Sequence, residues 1–162
     1  MKFEEITLFG STGLIGSLLL KFLVNDSCFK KIKVVSRKSF SLNHKKIINK
    51  TIDFSDYKSL SKSVQNSKIV FAAIGTTQSK VKGNKKEYRK IDFDILYNIA
   101  KACKENNVES FLFVSSSGAN INSNNFYLKL KGEIEKSILS LNLLNVLNVE
   151  QVNLLIYLPI IF

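Results

Sequence analysis

ITLFGSTGLIG, the sequence of residues 6–16, combines an apolar run, a turn with three glycines and the start of an apolar helix. A strand that turns directly into a helix points unpaired backbone N–H groups and the positive end of the helix dipole at one place. Anions bind there, so this stretch predicts a phosphorylated ligand. A plain connection between a strand and a helix is the alternative, because a glycine-rich turn alone is a weak motif.

The three glycines have separate geometric tasks in this prediction. Gly10 allows the tight turn, Gly13 removes a Cβ where a pyrophosphate must approach the backbone, and Gly16 lets the helix lie close to the sheet. Their spacing is G-x-x-G-x-x-G, which differs from the common G-x-G-x-x-G of dinucleotide-binding turns. The ligand class therefore has to be inferred from the rest of the chain.

Length and composition indicate one globular domain that spans residues 1–162. Hydrophobic residues make up 45% of the chain and there is one proline, which argues for a regular core and against disorder. The longest apolar stretch, residues 154–162, is too short for a membrane-spanning helix, which needs ~20 residues. The first residues lead into a strand without a signal-peptide pattern. We therefore expect no membrane span and a cytoplasmic location.

The formal net charge of +11 raises the question of a nucleic-acid partner. The lysines are spread over nearly every polar segment, and no basic stripe with interleaved aromatic residues is present. We interpret them as a solvated surface, so nucleic-acid binding is the weakest of three functional hypotheses. Cys28, Cys103 and the single His44 lack the spacing of metal ligands, and the sequence predicts no metal site.

Strand and helix patterns alternate along the whole chain. Strands are predicted at residues 6–9, 32–35, 47–54, 67–74, 111–114 and 152–157, and helices at residues 14–24, 57–64, 87–106 and 126–139. This alternation predicts an α/β fold, a Rossmann-like doubly wound parallel sheet of about six strands with helices on both faces. Ligands bind such sheets at the carboxyl ends of the strands.

The end of the second predicted strand distinguishes between the two nicotinamide dinucleotides. A carboxylate at this position binds the ribose 2′-OH of NAD, whereas an arginine accommodates the 2′-phosphate of NADP. Ser36-Arg37-Lys38 offers two cations and no carboxylate, and Arg37 can make a bidentate contact. The sequence therefore predicts NADP, with NAD as the alternative cofactor and a solvated basic loop as the alternative interpretation.

Tyr127 and Lys131 form a Y-x-x-x-K pair on a predicted helix. Residues four apart share one helix face, where the ammonium can lower the pKa of the phenol and the phenol can exchange a proton with a substrate oxygen. A serine at the end of the preceding strand, Ser115, Ser116 or Ser117, could hydrogen-bond the same oxygen. A surface helix that carries both residues by chance is the alternative.

Together these segments resemble the short-chain dehydrogenase/reductase superfamily in its atypical branch. Within it, the resemblance is to the NAD(P)H-binding oxidoreductase-like family that includes the Tat-interacting tumour-suppressor protein. The similarity extends over residues 5–137. The matching segments are residues 10–16, 36–38, 53–54, 74–77, 89–100, 114–120 and 126–135.

This resemblance implies cofactor contacts in four groups and a catalytic set. The implied cofactor contacts are Gly10, Ser11, Thr12, Gly13, Leu14, Ile15 and Gly16 in the pyrophosphate turn, Arg37 and Lys38 at the 2′-phosphate, Asp53 at the adenine edge, and Ile74, Gly75 and Thr76 beside the ribose. The implied catalytic residues are Tyr127, Lys131 and Ser116, with Ser115 and Ser117 as alternatives to Ser116.

The resemblance ends after Glu135. Family members have a final strand that ends in an Arg-Pro pair and a further segment that closes over the substrate, whereas this sequence has Leu158-Pro159 and stops at Phe162. We therefore expect dinucleotide binding with little turnover by this chain.

Two hypotheses remain for what the chain does. The first is an NADP-dependent oxidoreductase acting on an unidentified small-molecule carbonyl or alcohol. The second is a dinucleotide-binding module that acts as a sensor or protein-interaction scaffold. The fold alone cannot separate them.

Overall fold

The computed structural model describes residues 3–39 and 42–150. The strands are β1 (Phe3–Phe9), β2 (Phe29–Ser36), β3 (Ile47–Thr51), β4 (Ile69–Ala72), β5 (Ser110–Ser115) and β6 (Asn145–Glu150). The helices are α1 (Leu14–Asn25), α2 (Tyr57–Val64), α3 (Lys85–Arg89), α4 (Leu96–Glu105) and α5 (Phe126–Leu139), and a π-helical segment, Lys90–Ile95, joins α3 to α4.

The six strands form one parallel sheet in the order β3-β2-β1-β4-β5-β6. This order confirms the predicted Rossmann-like fold. The chain first builds the sheet outward from β1 through β2 to β3, and then returns to the other side of β1 with β4. A crevice at the carboxyl ends of β1 and β4 follows from this reversal, and dinucleotides bind in such crevices.

Each face of the sheet has its own apolar cluster. On one face, α1 packs over a cluster that includes Leu8 and Val34. On the other, α2, α4 and α5 pack over a cluster that includes Phe9 and Val35. Successive residues of a strand point to opposite faces, so a strand that is covered on both sides becomes a continuous apolar run. This explains why the central strands were easy to predict.

The sixth strand of the described sheet, which begins at Asn145, was not predicted from the sequence. β6 pairs in parallel with β5, from Asn145 opposite Ser110 to Glu150 opposite Ser115. Residues 152–157 lie outside the described residues. β6 is the outer strand of the described sheet and Leu147 on it is 42% exposed. A partly exposed strand mixes polar and apolar residues, so its pattern is weaker than that of a continuous apolar run.

The single long helix predicted over residues 87–106 is instead two α-helices with the π-helical segment between them. α3 begins after Asn84, whose side-chain oxygen accepts hydrogen bonds from the N–H groups of Lys86 (3.0 Å) and Glu87 (3.2 Å). The π-helical segment buries Asp92 and Ile95. Such segments occur frequently at functional sites.

The turn after β1 brings three backbone segments into direct contact. Gly10 has a φ of +83°, and a Cβ there would overlap the carbonyl group of Ala73 at the end of β4. A Cβ at Gly16 would overlap the carbonyl oxygen of Gly10, so the absence of a side chain at Gly16 lets α1 pack directly against the turn. Gly13 differs, because its φ is −82° and its nearest neighbour, the carbonyl oxygen of Gly10, would lie 3.4 Å from a Cβ.

None of the helices in the described ranges is long and apolar enough to cross a membrane.

We predict that Gly10→Ala lowers the free energy of unfolding by about 2 to 5 kcal/mol, because the left-handed conformation costs about 1 to 2 kcal/mol and the overlap with Ala73 costs about 1 to 3 kcal/mol. Urea denaturation measures the change. Gly13→Ala is the matched control and should cost less than about 1 kcal/mol. Equal losses in the two variants would contradict this account of the turn.

Candidate functional site

A groove opens at the carboxyl ends of β1, β2 and β4, where the order of the sheet reverses. Its lining residues are Gly10, Ser11, Thr12, Gly13, Val35, Ser36, Arg37, Phe54, Ala73, Ile74, Gly75, Lys80 and Ile95. The fold thus brings together seven of the residues that the sequence assigned to a cofactor. These seven are Gly10, Ser11, Thr12, Gly13, Arg37, Ile74 and Gly75.

The other predicted cofactor contacts lie outside the lining of this groove. They are Leu14, Ile15, Gly16, Lys38, Asp53 and Thr76. Asp53 is exposed, and its carboxylate accepts hydrogen bonds from the N–H (2.9 Å) and hydroxyl (2.7 Å) of Ser55. The hydrogen bonds from Ser55 lower the pKa of Asp53. Asp53 therefore caps its own turn, and Phe54 beside it faces the groove.

Ser11 is a buried residue whose hydroxyl has no partner. It is 2% exposed, and its Oγ is the one buried side-chain oxygen or nitrogen in the described part of the chain without a hydrogen bond. A buried hydroxyl left unpaired costs about 1 to 3 kcal/mol, so such an atom needs an explanation. Ser11 lines the groove, and an anionic oxygen bound there would accept its hydrogen bond.

The N-terminus of α1, like the Ser11 hydroxyl, offers hydrogen-bond donors to an anion. No side chain caps it, and its first turn contains no acidic residue. Backbone N–H groups in the first turn of a helix lack partners within the helix, and the helix dipole favours a negative charge beside them. The Ser11 hydroxyl and the N–H groups at the start of α1 are all hydrogen-bond donors, and they fit a phosphate group for that reason.

Arg37 and Lys80 are the cations that border the groove among the described residues, which contribute no carboxylate to its lining. The guanidinium carbon of Arg37 lies 6.0 Å from the centroid of the Phe54 ring, at the outer limit of a cation–π contact. Lys80 is a groove residue that the sequence analysis missed. Its only signal was its charge, which is lost among the many other lysines.

Tyr127 and Lys131 lie one turn apart on α5, as their spacing predicts. Asn125 begins the helix by accepting a hydrogen bond from the N–H of Tyr127 at 2.9 Å. The ammonium nitrogen of Lys131 lies 5.7 Å from the centroid of the Tyr127 ring. Lys131 is 3% exposed and Tyr127 is half-buried. A chance pair on a solvated helix face does not explain a buried lysine.

Asp92 is the charged group that the sequence analysis missed altogether. It is 1% exposed, its Oδ1 lies 3.1 Å from the Nζ of Lys131, and its Oδ2 accepts the N–H of Thr76 at 2.7 Å. Burial raises the pKa of Asp92, while Lys131 and the Thr76 N–H act in the opposite direction. The signal was available, because Asp92 follows Tyr88 by four residues and precedes Ile95 by three, which places a carboxylate on an apolar stripe.

Tyr88 supports the same loop from the other side. Its hydroxyl donates a hydrogen bond to the carbonyl oxygen of Thr76 at 3.0 Å, and its ring meets that of Tyr127 edge to face, with centroids 6.3 Å apart. Burial, with the nearby Asp92 charge, raises the pKa of Tyr88 to about 12. Tyr88 therefore stays protonated at neutral pH as a donor to the loop.

The three serines at the end of β5 have different surroundings. Ser115 is fully buried and its hydroxyl donates to the carboxylate of Glu135 on α5. Ser116 is half-buried, and its Oγ reaches only the carbonyl oxygen of Ser117, at 3.3 Å. Ser117 is exposed. Of the three, Ser116 combines partial burial with the weakest existing hydrogen bond.

Curated proteins similar to this chain are named Protein FMP52, mitochondrial. The Candida glabrata protein is 39% identical over 144 residues, which cover 88% of this chain and 60% of that protein. The Saccharomyces cerevisiae protein is 33% identical over 135 residues, which cover 82% and 58%. This chain therefore spans about 60% of the length of these relatives. Their names contradict the predicted cytoplasmic location, which is wrong.

Solved structures with the same fold are about twice as long as this chain. Pen from Bacillus thuringiensis aligns with a TM-score of 0.80 and 23% identity, over 92% of this chain and 50% of that one. MoeE5 in complex with UDP-glucose and NAD aligns with a TM-score of 0.74 and 19% identity, over 90% and 53%. At these identities the likeness shows the fold.

The family itself follows from a match over most of the sequence. A family model described as NAD(P)H-binding matches residues 10–140, a range that begins at the glycine turn and ends just after α5. The relatives carry the FMP52 name and not that of the Tat-interacting protein. What is confirmed of the predicted resemblance is therefore an NAD(P)H-binding family. The chain belongs to this NAD(P)H-binding family, and its fold is Rossmann-like.

Proposed function

We propose that this chain binds NADP(H) across the groove and belongs to an oxidoreductase that acts on a small carbonyl or alcohol. One observation carries the proposal. A groove with an unpartnered serine hydroxyl and two cations adjoins, through Gly75 and Thr76, a helix with a buried lysine and a half-buried tyrosine. Anion binding and proton transfer are thus available at one edge of the sheet.

The strand order supports a separate place for each part of the dinucleotide. The turn at Ser11 and the N-terminus of α1 suit the pyrophosphate, at the middle of the groove. Arg37, at the end of β2, suits the 2′-phosphate because its guanidinium forms paired hydrogen bonds with such groups. The nicotinamide half then lies on the side of β4 and β5, towards Lys131 and Tyr127.

The residues on that side can handle the proton that accompanies reduction of a carbonyl. NADP(H), when bound, supplies or accepts the hydride. The hydroxyl of Tyr127 gives its proton to the substrate oxygen, and the nearby ammonium of Lys131 stabilises the phenolate that remains. The hydroxyl of Ser116 donates a hydrogen bond to the same oxygen.

The second candidate is a dinucleotide-binding module without turnover. The observation in its favour is the ion pair between Asp92 and Lys131. A carboxylate 3.1 Å from the ammonium offsets part of the positive charge that the phenolate of Tyr127 would need. Turnover measurements separate the two candidates.

The mitochondrial names of the relatives support a mitochondrial location for this protein as well. We expect the full-length protein, expressed in yeast with a C-terminal tag, to co-purify with mitochondria on a density gradient. Recovery in the cytosolic fraction alone would contradict this.

We predict that the chain binds NADPH more tightly than NADH and that Arg37→Ala weakens NADPH binding about tenfold or more, since a charge-assisted hydrogen bond is worth about 1.5 to 3 kcal/mol. NADH binding should change little, because NADH has no 2′-phosphate. Titration of nicotinamide fluorescence at fixed salt measures both affinities.

Two variants control this experiment. Arg89→Ala removes the same charge from a residue that pairs with Glu133 outside the groove lining, and should leave both affinities unchanged. Gly13→Val should abolish the binding of both dinucleotides, with an unchanged circular dichroism spectrum, because the valine side chain would fill the space needed by the pyrophosphate. Equal affinities of the unmodified chain for NADPH and NADH would contradict the preference for NADP.

We predict that carbonyl-dependent oxidation of NADPH falls about 100-fold or more in Tyr127→Phe, which is the usual contribution of a general acid. A panel of small aldehydes and ketones is assayed by absorbance, and NADPH affinity should stay nearly unchanged. Tyr97→Phe is the control, because Tyr97 stacks on Phe93 and does not line the groove. Turnover that survives in Tyr127→Phe would contradict the assigned role. Tight NADPH binding without turnover of any carbonyl would favour the binding module.

A further inference from the structure

We propose that Asp92 is a positioning residue that holds Lys131 and the Gly75–Thr76 backbone as one unit, and that it thereby sets the affinity for the nicotinamide half of the dinucleotide. The inference rests on the proposed function, since it concerns the same groove. It assigns a role to a residue on the π-helical segment, Lys90–Ile95, for which the sequence offered none.

The contacts of Asp92 divide between two elements. One carboxylate oxygen faces the ammonium of Lys131 on α5 at 3.1 Å, and the other accepts the N–H of Thr76 after β4 at 2.7 Å. The first oxygen would also lie 3.4 Å from a Cβ at Gly75, a residue of the groove wall. Asp92 thus joins the groove wall to the helix that carries the proton-transfer pair.

The loop at Thr76 is held at both of its backbone polar groups. Asp92 accepts its N–H, and the hydroxyl of Tyr88 donates to its carbonyl oxygen at 3.0 Å. Both anchoring side chains are buried, at 1% and 4% exposure. The position of Gly75 in the groove is therefore fixed by residues from the neighbouring helical segments rather than by the loop alone.

Lys131 depends on Asp92 for its direction. A lysine ammonium is a point charge on a flexible four-carbon stem with three donors. Asp92 engages the ammonium, and two further N–H donors remain for a ligand. Without the carboxylate, the stem has no ionic partner in the described structure that would hold its end beside Gly75 and Tyr127.

The burial of the Asp92–Lys131 ion pair indicates that the pair orients the ammonium rather than adding to the free energy of unfolding. Buried ion pairs contribute little net stability, and apolar residues of similar volume often replace them without loss. The side chains of Lys131 and Asp92 are only 4% and 2% exposed. An ion pair this deeply buried beside a groove is better explained by the direction that it gives to the ammonium.

Asp92 acts on the groove at Gly75, at the opposite end from Arg37. β2 and β4 lie on either side of β1, so Arg37 and Gly75 flank the glycine turn from opposite sides. Loss of Asp92 should therefore affect the nicotinamide half and spare the adenine half. A general loss of structure would instead weaken the binding of both halves, so the two explanations can be distinguished.

The test compares NADPH with adenosine 2′,5′-bisphosphate, which contains the adenine half and the 2′-phosphate but no nicotinamide ribose. Asp92→Asn keeps an acceptor for the Thr76 N–H and removes the charge that holds Lys131. We expect NADPH to bind about tenfold or more weakly, while the bisphosphate binds as it does to the unmodified chain.

The matched control is Glu5→Gln. Glu5 pairs with Lys33 at 2.7 Å, in a cleft between β3 and α2 that is separate from the groove, and both side chains are largely buried. This variant removes a carboxylate from a second lysine pair in the same way. Both ligands should bind to it with unchanged affinity.

A second variant keeps the inference testable if Asp92→Asn folds poorly. Asp92→Asn combined with Lys131→Met removes both charges, so no uncompensated ion remains in the interior. If Asp92 acts through Lys131, the double variant should lose no more NADPH affinity than Lys131→Met alone, because the two effects are then not additive.

The outcomes separate this inference from the proposed function. Equal weakening of NADPH and of the bisphosphate would reduce Asp92 to a structural residue and overturn the inference. Unchanged NADPH affinity in Asp92→Asn, or additive losses in the double variant, would also overturn it. Failure of the unmodified chain to bind either ligand would instead overturn the proposed function, and the inference with it.

Discussion

Backbone contact at Gly10 is the constraint on which the site depends. The carbonyl of Ala73 at the end of β4 and the first turn of α1 at Gly16 both lie where a side chain at position 10 or 16 would need space. The N–H of Gly13 donates to the carbonyl oxygen of Gly10 at 3.0 Å and closes the turn. Strand, turn and helix are thereby held close enough that backbone donors can form the floor of a phosphate site.

Charge is used in two ways in this molecule. The net charge of +11 is spread over the surface and acts at long range, where it can raise the rate of encounter with an anionic dinucleotide. Discrimination between dinucleotides needs a charge at a particular place in the groove, and under the proposed function Arg37, near the Phe54 ring at the end of β2, would supply it. The two effects differ in salt dependence, since exposed charges at a distance are screened first.

Much of the fold could be predicted because its central strands are covered on both faces. β4 and the middle of β5 are continuous apolar runs, and the glycine turn after β1 indicated the direction of the first crossover. β6 was missed because half-exposed outer strands have a weaker pattern. The break in the predicted long helix was missed because its apolar stripe continues unchanged through the π-helical segment.

Parts of the candidate site were predictable because their residues are close in sequence, and Arg37, Ile74 and Gly75 because they lie at the ends of predicted strands. Tyr127 and Lys131 share one helix, and Ser11 and Gly13 share one turn, so spacing alone brought them together. Asp92 and Lys131 lie on separate helical segments, and the contact between them depends on tertiary packing. Lys80 was hidden among other lysines of equal charge, and only the fold distinguishes it by its place at the groove.

The two neighbouring tyrosines, Tyr88 and Tyr127, have different contacts. The hydroxyl of Tyr88 is committed to the carbonyl oxygen of Thr76, and burial keeps it protonated over the neutral range. Tyr127 meets the Tyr88 ring edge to face, and its ring is the one near the Lys131 ammonium. Asp92 contacts both Lys131 and the Thr76 backbone, so one buried carboxylate links the surroundings of the two phenols. The surroundings of Tyr127 and Lys131 therefore depend on the packing between α5 and the π-helical segment, and not on the Y-x-x-x-K spacing alone.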